Sequence, residues 1–344
     1  MKKIFITGIC GFVGSNLALF FKDNNYQIYG VDNLSRKGSY KNYLKLKRIG
    51  IKIVRGNLCN NKVLKKILKQ NTYSDLIHCA GYTSVLDGTN LITAKHLYEN
   101  NILSTLNSLE IAKQSNSNFI YISSSRVYSL AVLNNIKLKF EKNYKPSLNN
   151  IHGLSIKGVN ENFSTSSPVS LYGNSKIVCE KIIEEYCYNN KINFVINRCG
   201  LLTGSGQLYK NDQGIVSFWI NSWKKNKNLR YIGFNGCGHQ TRDCLHSYDL
   251  ANLLNIQLKK IKKLKKNNRI FNVSGGLDSS FSLKELSEWC SKNVFYKKIK
   301  SANQNRPFDI KWLVLDNTKV KKEFKWKIKY KKNKIFEDIL NENN

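Results

Sequence analysis

Short runs of β-branched and aromatic residues alternate with longer amphipathic segments over the first 125 residues. This strand–helix alternation is typical of βαβ units, in which consecutive strands lie parallel and the helices cover the sheet. The pattern therefore predicts an α/β fold with a doubly wound parallel sheet. The predicted strands cover residues 3–6, 27–31, 51–54, 75–79 and 119–122, and the clearest helices cover residues 12–22 and 90–114.

The pattern weakens between residues 129 and 167, where lysines and Ser/Thr clusters show little periodicity. We interpret this stretch as an insertion or a lid. A helix over 171–188 and a strand over 192–197 complete a first domain, residues 1–200. Shorter, less regular elements follow, which predicts a smaller C-terminal α/β lobe over 201–344 that binds the substrate, with some exchange of strands and helices between the two.

Composition excludes several classes of protein. Hydrophobic residues make up 41% and charged residues 23%, as in globular proteins, and no apolar run approaches the roughly 18 residues of a membrane helix. Gly8 comes too early for a secretory signal, so we expect a cytoplasmic protein without membrane insertion. Nine scattered cysteines without a C-x-x-C pair predict reduced, structural thiols and no bound metal.

The formal net charge of +33 has two interpretations. Nine of the 56 basic residues are arginine, which leaves 47 lysines spread along the chain. A lysine- and asparagine-rich composition, as an AT-rich genome encodes, explains this; a surface that attracts anionic ligands or RNA would also explain it. Nucleic-acid recognition usually relies on arginine as well, so we regard nucleic acid as an unlikely partner. The lysine-rich run 259–266 is interpreted as a solvated helix end, with an RNA or membrane-surface patch as the alternative.

A glycine motif marks the first βα turn. Gly8, Gly11 and Gly14 form G-x-x-G-x-x-G directly between the first strand and the first helix. In this position the glycines permit a tight turn, close approach to a pyrophosphate and close helix–strand packing, with the phosphate at the helix N-terminus. The context predicts a Rossmann-type dinucleotide site.

Asp32 ends the second strand, 18 residues after Gly14. A carboxylate there can accept hydrogen bonds from the adenosine ribose hydroxyls and repels a 2′-phosphate, which favours NAD over NADP. Arg36 and Lys37 follow closely, and such a basic pair could instead receive that phosphate.

Chemistry-bearing residues follow two later elements. Tyr172 and Lys176 are four residues apart, so they share one face of a helix. Ser123, Ser124 and Ser125 follow the fifth strand, at the sheet edge where open α/β folds bind ligands. With the glycine motif, this pattern resembles the extended short-chain dehydrogenase/reductase superfamily (the NAD-dependent epimerase/dehydratase family), from residue 2 to about 330.

The resemblance implies a role for each of these residues. Tyr172 is the expected acid–base group, held as phenolate by Lys176 and the nicotinamide charge, and Lys176 also binds the nicotinamide ribose. Ser124, four residues before Tyr128, is the expected partner of the reacting hydroxyl, with Ser123 as the second candidate. The residues expected to bind the cofactor are Gly8, Gly11, Phe12, Val13, Gly14, Asp32, Asn33, Asn57, Leu58, Ala80, Gly81, Asn101, Tyr172 and Lys176.

The sequence departs from the family pattern at two places, and each affects which properties of the family can be expected of this chain. The interval from Ser124 to Tyr172 is 48 residues, about twice the usual length, because of the inserted stretch. Asn57 stands where the family generally has an aspartate that meets the adenine amine. Its amide oxygen still accepts a hydrogen bond, so this change concerns cofactor affinity rather than chemistry.

Three short segments resemble the CDP-paratose 2-epimerase (CDP-tyvelose epimerase) group within this family: residues 32–38, 211–214 and 240–246. By this resemblance Arg242 and Arg306 clamp the substrate diphosphate, since guanidinium groups pair with phosphate in bidentate fashion. Alternatively, Arg242 pairs with Asp243 at the surface and Arg306 with Asp309. His246 is expected to be a satisfied, buried histidine. The expected substrate contacts are Ser123, Ser124, Arg242 and Arg306.

The residues after Ser124 limit the reaction type. Family dehydratases carry an Asp-Glu pair there, whereas this chain has Ser125-Arg126, which disfavours dehydration. The expected reaction is epimerisation through a keto-sugar and transient NADH, at C2 of a CDP-3,6-dideoxyhexose as in O-antigen lipopolysaccharide biosynthesis, or otherwise at C4 of a UDP-hexose. A non-catalytic RNA-binding or regulatory protein of the same fold is the alternative of another class. A homo-oligomer, dimer or tetramer, is expected from the resemblance.

Overall fold

The computed structural model describes residues 1–85, 91–140, 144–147, 150–209, 213–302 and 304–342. Its strands are β1 (Lys3–Thr7), β2 (Gln27–Asp32), β3 (Lys52–Arg55), β4 (Asp75–His78), β5 (Asn118–Ser124), β6 (Leu138–Phe140), β7 (Tyr144–Pro146), β8 (Leu154–Ser155), β9 (Gly158–Val159), β10 (Phe194–Cys199), β11 (Leu201–Thr203), β12 (Arg230–Ile232), β13 (Thr241–His246), β14 (Ile270–Val273), β15 (Ser280–Ser282), β16 (Lys300–Ala302) and β17 (Trp312–Leu313).

The helices alternate with these strands through most of the chain. They are α1 (Phe12–Asp23), α2 (Ser39–Arg48), α3 (Asn61–Leu68), α4 (Leu91–Tyr98), α5 (Ser104–Gln114), α6 (Leu130–Asn134), α7 (Leu171–Asn189), α8 (Ile215–Lys224), α9 (Ser247–Lys260), α10 (Leu283–Asn293), α11 (Thr318–Phe324) and α12 (Lys332–Leu340). A π-helical turn over Glu99–Leu103 joins α4 to α5, so the long helix predicted for 90–114 is present with one wide turn inside it. Its predicted first residue, Asn90, lies outside the described residues.

The central sheet has seven parallel strands in the order β14-β10-β5-β4-β1-β2-β3 within the described chain. Helices α1 and α9 pack on one face, and α5 and α7 on the other. This is the doubly wound α/β fold that the sequence predicts. Because all seven strands run the same way, their carboxyl ends meet at one edge, where such folds bind ligands.

Some elements that follow the predicted boundary at residue 200 belong to the central sheet and its helix layer. Strand β14 pairs with β10 at the edge of the central sheet, and α9 packs on α1. The remaining C-terminal elements form a smaller sheet of β11, β13, β15 and β17, covered by α8, α10 and α12. The sequence predicts some exchange of strands and helices between the two parts. Strand β14 and helix α9 are the elements that join the larger part.

The described residues of the stretch 129–167 pack against a distant segment of the chain. Leu133, Val159 and Phe163 are buried against the segment 310–315, and the backbone N–H of Val159 donates to the carbonyl oxygen of Val314. None of the described residues from 129 to 167 lines the cavity at the sheet edge. The segment 310–315 lies far later in the chain, so local sequence pattern alone does not show these contacts.

The lysine-rich run after α9 is solvated, as predicted from the sequence. Lys262, Lys263, Lys265 and Lys266 are exposed at the end of α9 while Ile261 and Leu264 are buried, as in a solvated helix end. All nine cysteines are free thiols, six of them buried. No helix of the described ranges is both long and apolar enough to cross a membrane, and no cluster of metal-ligating side chains occurs among those residues.

A buried ion pair holds helix α7 to the sheet. Both carboxylate oxygens of Glu180, which is 2% exposed, accept hydrogen bonds from Arg198 on β10, the shortest at 2.7 Å. Ser123 on β5 donates to the same carboxylate at 2.5 Å. The pair therefore joins the helix to two adjacent strands at one point.

We expect Glu180→Gln to lower the free energy of unfolding by about 3–5 kcal/mol, because the buried guanidinium loses its counter-charge. Denaturant unfolding measures this. Glu184→Gln, one turn later, is the matched control: Glu184 pairs with exposed Lys181, and its loss should cost about 0.5 kcal/mol or less. Equal effects of the two substitutions would contradict the role assigned to Glu180.

A second buried group, His78 on β4, makes the stability of the fold depend on pH. Its Nδ1 lies 2.6 Å from Thr7 Oγ1 and 3.0 Å from Ser108 Oγ, and its Nε2 lies 3.1 Å from Thr105 Oγ1. These partners suit the neutral ring. Burial, with a contribution from Lys176, lowers the pKa of His78 from 6.5 to about 3.

The unfolded chain therefore takes up a proton on His78 near pH 6.5, while the folded chain does so only near pH 3. Its contribution to stability is present above pH 6.5 and falls by about 1.4 kcal/mol per pH unit as the pH drops. Asp243, whose pKa burial raises to about 6, has the opposite slope. We expect the stability difference between wild type and His78→Gln to shrink between pH 6.5 and 4 in urea unfolding. A constant difference would contradict this, and His152→Gln, at an exposed position, is the control.

Candidate active site and cofactor cleft

The first βα turn is shaped by its glycines. Gly8 has a φ of +66°, and a Cβ there would lie 2.9 Å from Ala80 Cα. A Cβ on Gly14 would lie 2.2 Å from the carbonyl oxygen of Gly8, so the helix can approach the strand only with glycine at this position. A Cβ on Gly11 would meet only Gly8 O, at 3.2 Å, and would otherwise project into open space beside the helix terminus.

No side chain of the helix itself caps the N-terminus of α1. Gly11 is its N-cap and provides no side-chain cap, and the first turn holds no acidic residue. The first N–H groups of a helix have no acceptor within the helix, so those of Phe12, Val13 and Gly14 face the cleft as donors. Together with the helix dipole they form an anion site of the kind that binds a pyrophosphate.

Asp32 lies at the end of β2 beside this turn. Its Oδ2 accepts from the N–H of Cys10 at 2.9 Å and its Oδ1 from the N–H of Leu34 at 2.8 Å. Burial raises the pKa of the carboxyl, and these two bonds counteract the effect. Each oxygen keeps a lone pair that can accept from a ribose hydroxyl.

Arg36 and Lys37 differ in where they point. The Arg36 guanidinium donates to Leu208 O at 2.5 Å and to Gln213 Oε1, both on the opposite wall of the cleft. Lys37 is exposed and does not line the cleft. This arrangement gives the adenosine end a carboxylate rather than a basic pair.

The other residues expected to bind the cofactor fall into two groups. Asn33, Asn57, Leu58, Ala80 and Gly81 line the cleft. Asn101 lies behind the wall, 2% exposed, in the π-helical turn. Its Oδ1 accepts from the N–H of Tyr82 at 2.6 Å, and its Nδ2 donates to Ser175 Oγ at 2.8 Å. It therefore links the loop after β4 to helix α7 and does not itself line the cleft.

Tyr172 and Lys176 lie on the cleft side of α7, 8% and 4% exposed. Ser170 caps the helix by accepting from the N–H of Gly173, which places Tyr172 in the first turn. The Lys176 ammonium donates to Ile122 O at 3.1 Å and lies 6.0 Å from the centre of the Tyr172 ring. The ammonium is thus fixed beside the phenol at the end of β5.

The strand-end serines have different partners. Ser123 donates to Glu180 and is committed to the buried ion pair. Ser124 Oγ accepts from the N–H of Arg126 at 3.2 Å and keeps its proton for another acceptor. Both line the cleft, and the geometry favours Ser124 as the hydroxyl that meets a reacting oxygen.

Arginines line the far end of the same cleft. Arg242 donates to Thr241 O at 2.7 Å and to Ile310 O at 2.6 Å, with Asp309 Oδ1 3.6 Å from its Nη2. Burial and the neighbouring Arg126 lower the pKa of Arg242 to about 9, which leaves it charged at neutral pH. Arg306 also lines the cleft. Several cations around one carboxylate produce a positive potential that suits a diphosphate.

The alternative pairing of Arg242 with Asp243 is wrong. The two side chains alternate across β13, and Asp243, 2% exposed, accepts from the N–H of Gly276 on the other side of the strand. His246 is buried and satisfied, as expected: its Nε2 lies 3.0 Å from Asp338 Oδ2, and its ring stacks on Tyr330.

Three charged residues of the cleft were not recognised in the sequence as site residues: Arg126, Arg230 and Asp309. Arg126 could have been found, because it is two residues after Ser124 at the end of β5. Arg230 and Asp309 have no local motif that separates them from the many charged residues of this chain.

One cavity of about 940 Å³ is lined by the glycine turn, Asp32, Ser124, Tyr172, Lys176, Arg242 and Arg306. It runs from the N-terminus of α1, past Tyr172 and Ser124, to Arg242 and Arg306. The open space at Gly11, the free helix terminus and Asp32 fit a dinucleotide that carries two ribose hydroxyls on its adenosine. The residues present therefore fit NAD.

Comparisons with known proteins agree with this geometry. The family model "NAD dependent epimerase/dehydratase family" matches residues 4–274. CDP-paratose 2-epimerase of Salmonella typhi is 28% identical over 94% of each chain. dTDP-D-glucose 4,6-dehydratase of Dictyostelium discoideum is 29% identical over 76% of this chain and 56% of its own length.

A solved structure shares the fold over nearly the whole length. UDP-glucuronic acid 4-epimerase from Bacillus cereus, in complex with UDP-glucuronic acid and NAD, superposes with a TM-score of 0.78 at 23% identity over 98% of each chain. The family model covers the chain from β1 to the end of β14, which is the full extent of the central sheet. This chain therefore belongs to the NAD-dependent epimerase/dehydratase family of enzymes.

Proposed function

We propose that this enzyme epimerises a nucleotide sugar without net oxidation, most specifically at C2 of a CDP-3,6-dideoxyhexose. The observation that carries the proposal is one cleft that is lined by the glycine turn, the Tyr172–Lys176 pair, Arg242 and Arg306. The similarity to CDP-paratose 2-epimerase over 94% of both chains supports the substrate.

The positions of the carboxylates in the cleft argue against dehydration of the sugar. Among the described residues that line it, Asp32 lies at the adenosine end and Asp309 faces Arg242 and the amide of Gln240. The residues after Ser124 are Ser125 and Arg126, so no carboxylate follows the strand-end serine. Elimination of water from a sugar needs a general acid and a general base beside the reacting carbons, and this strand end provides neither.

The residues of the chain have separate tasks in the proposed reaction. NAD, when bound, accepts a hydride from the sugar carbon and returns it. Tyr172 takes the proton from the hydroxyl on that carbon and later gives it back, with Ser124 donating a hydrogen bond to the same oxygen. Lys176 holds its ammonium on the cleft side of α7, 6.0 Å from the centre of the Tyr172 ring.

The change of configuration requires that the keto-sugar present its other face before the hydride returns. Arg242 and Arg306 hold the diphosphate meanwhile, so the sugar can turn about the bonds that join it to a fixed anchor. Tyr172 and Ser124 then meet the same oxygen from the second orientation. In this proposal Arg242 and Arg306 bind the diphosphate, and Tyr172 and Ser124 contact the sugar oxygen in both orientations.

The direct experiment is proton NMR of CDP-paratose incubated with the purified protein and NAD, with no other redox partner. We expect the C2 epimer to accumulate without net NADH. Tyr172→Phe should abolish turnover while the protein still binds NAD, because the ring remains and only the proton carrier is lost.

Other outcomes separate the remaining assignments. An unchanged spectrum with NAD bound would contradict the substrate and lead to the same test with UDP-hexoses, where C4 is the expected carbon. Retained activity of Tyr172→Phe would contradict the assignment of the base. If neither NAD nor a nucleotide sugar binds and RNA shifts in a salt-sensitive way, the protein is a binding protein of the same fold.

Arg242 gives a prediction about binding alone. We expect Arg242→Met to raise KM for the nucleotide sugar about 10- to 100-fold with little change in kcat, because pairing with the diphosphate is equal in ground and transition states. Steady-state kinetics measure this, with NAD binding as the test of folding. Arg48→Met removes the same charge from the exposed end of α2 and should leave KM unchanged. Unchanged KM in Arg242→Met would contradict the clamp.

A further inference from the structure

Arg36 connects the two walls of the cleft. It lies in the loop between β2 and α2, four residues after Asp32. Its Nη2 donates to Leu208 O at 2.5 Å, and its Nη1 donates to the amide oxygen of Gln213. The residues it meets lie more than 170 positions later in the chain, on the segment between β11 and α8.

A second contact lies beside the first. Gly38, with a φ of +93°, packs so closely on Leu208 that an added Cβ would lie 2.7 Å from Leu208 Cδ2. The backbone of the first loop therefore rests on the side chain whose carbonyl oxygen Arg36 binds. Two neighbouring contacts of different kinds, one polar and one apolar, join the same two segments.

The joined segments enclose the adenosine end of the cleft. Ser35, Arg36 and Ser39 line it from the first loop, and Gln207, Leu208 and Gln213 line it from the second. Asp32, the expected ribose contact, lies at the base of the first loop. A dinucleotide held at Asp32 and at the N-terminus of α1 would thus lie beside the Arg36 bridge.

We propose that Arg36 is a cofactor-retaining residue: with Leu208 and Gln213 it forms a latch that slows release of NAD and keeps its guanidinium from serving a 2′-phosphate. An epimerase must use the same NAD to receive and to return a hydride, so release between the two steps would leave a stranded keto-sugar. A reductase that exchanges its cofactor in every cycle has no such need. The latch depends on NAD binding and not on which sugar is the substrate.

The test is the dissociation rate of NAD from the purified protein, followed by trapping released NAD with an excess of a dehydrogenase that reduces it. We expect Arg36→Ala to release NAD at least about tenfold faster, because a charged donor with two acceptors is lost. The protein should also carry less NAD after gel filtration. Lys37→Ala removes the same charge from the neighbouring exposed residue and should leave the rate unchanged.

A second pair of variants keeps Arg36 and changes its partner. Gln213→Ala should speed release by a smaller factor than Arg36→Ala, since the bond to Leu208 O remains. Gln213→Glu converts the amide contact into an ion pair and should slow release. NADP binding, measured by calorimetry, should improve relative to NAD in Gln213→Ala and not in Arg36→Ala, because only the former keeps a guanidinium at this position.

Unchanged release from both Arg36→Ala and Gln213→Ala would overturn the latch, as would an equal acceleration in Lys37→Ala. These measurements need no sugar nucleotide. Failure of the latch therefore leaves the proposed epimerisation untouched, and failure of the epimerisation assay leaves the latch to be judged on NAD release alone.

Discussion

The site depends on how closely helix α1 approaches strand β1. Gly14 lies so near the carbonyl oxygen of Gly8 that any side chain at position 14 would overlap it. This contact aims the helix terminus at the carboxyl edge of the sheet, so that its free N–H groups face the cleft. Asp32, the serines after β5 and the Tyr172–Lys176 pair are useful only because this anion site fixes where a dinucleotide lies. A side chain larger than hydrogen at this point would displace the helix and move the phosphate site away from the chemistry.

The elements that the sequence predicts well are those with local causes. Strands β1, β2, β4 and β5 are apolar runs, and the cofactor turn is a motif of adjacent residues, so both can be recognised without knowing the fold. Strand β10 begins two residues later than predicted, at Phe194, because Ile192 donates its N–H to Cys187 O and still closes the end of α7. The stretch 129–167, predicted as an insertion or a lid, packs in its described residues against the segment 310–315. Local pattern cannot show a contact between segments so far apart.

The arginines and the lysines of this chain lie in different kinds of places, and the net charge alone does not show this difference. Of the nine arginines, five line the cleft (Arg36, Arg126, Arg230, Arg242 and Arg306), and two, Arg198 and Arg269, are buried in the framework. Arg48 and Arg55 are exposed. Arginine is thus kept where a planar fork must bind several oxygens at once, and lysine supplies charge elsewhere. Most of the excess positive charge comes from the lysine-rich composition. The arginines, by contrast, mark most of the positions where a guanidinium lines the cleft or is buried.

Strand β14 has a consequence for how the chain can form its sheet. It covers the outer edge of β10, and it is made from residues 270–273, after β11, α8 and β13 of the smaller lobe have been synthesised. Until the ribosome has passed this point, β10 has an open edge, and such an edge is a template for pairing with another chain. The nucleotide-binding half is therefore not an excisable module: a fragment that ends at residue 200 would lack both β14 and the helix α9 that covers α1. The edge of the central sheet at β10 is thus completed only by residues that are synthesised about 70 positions later.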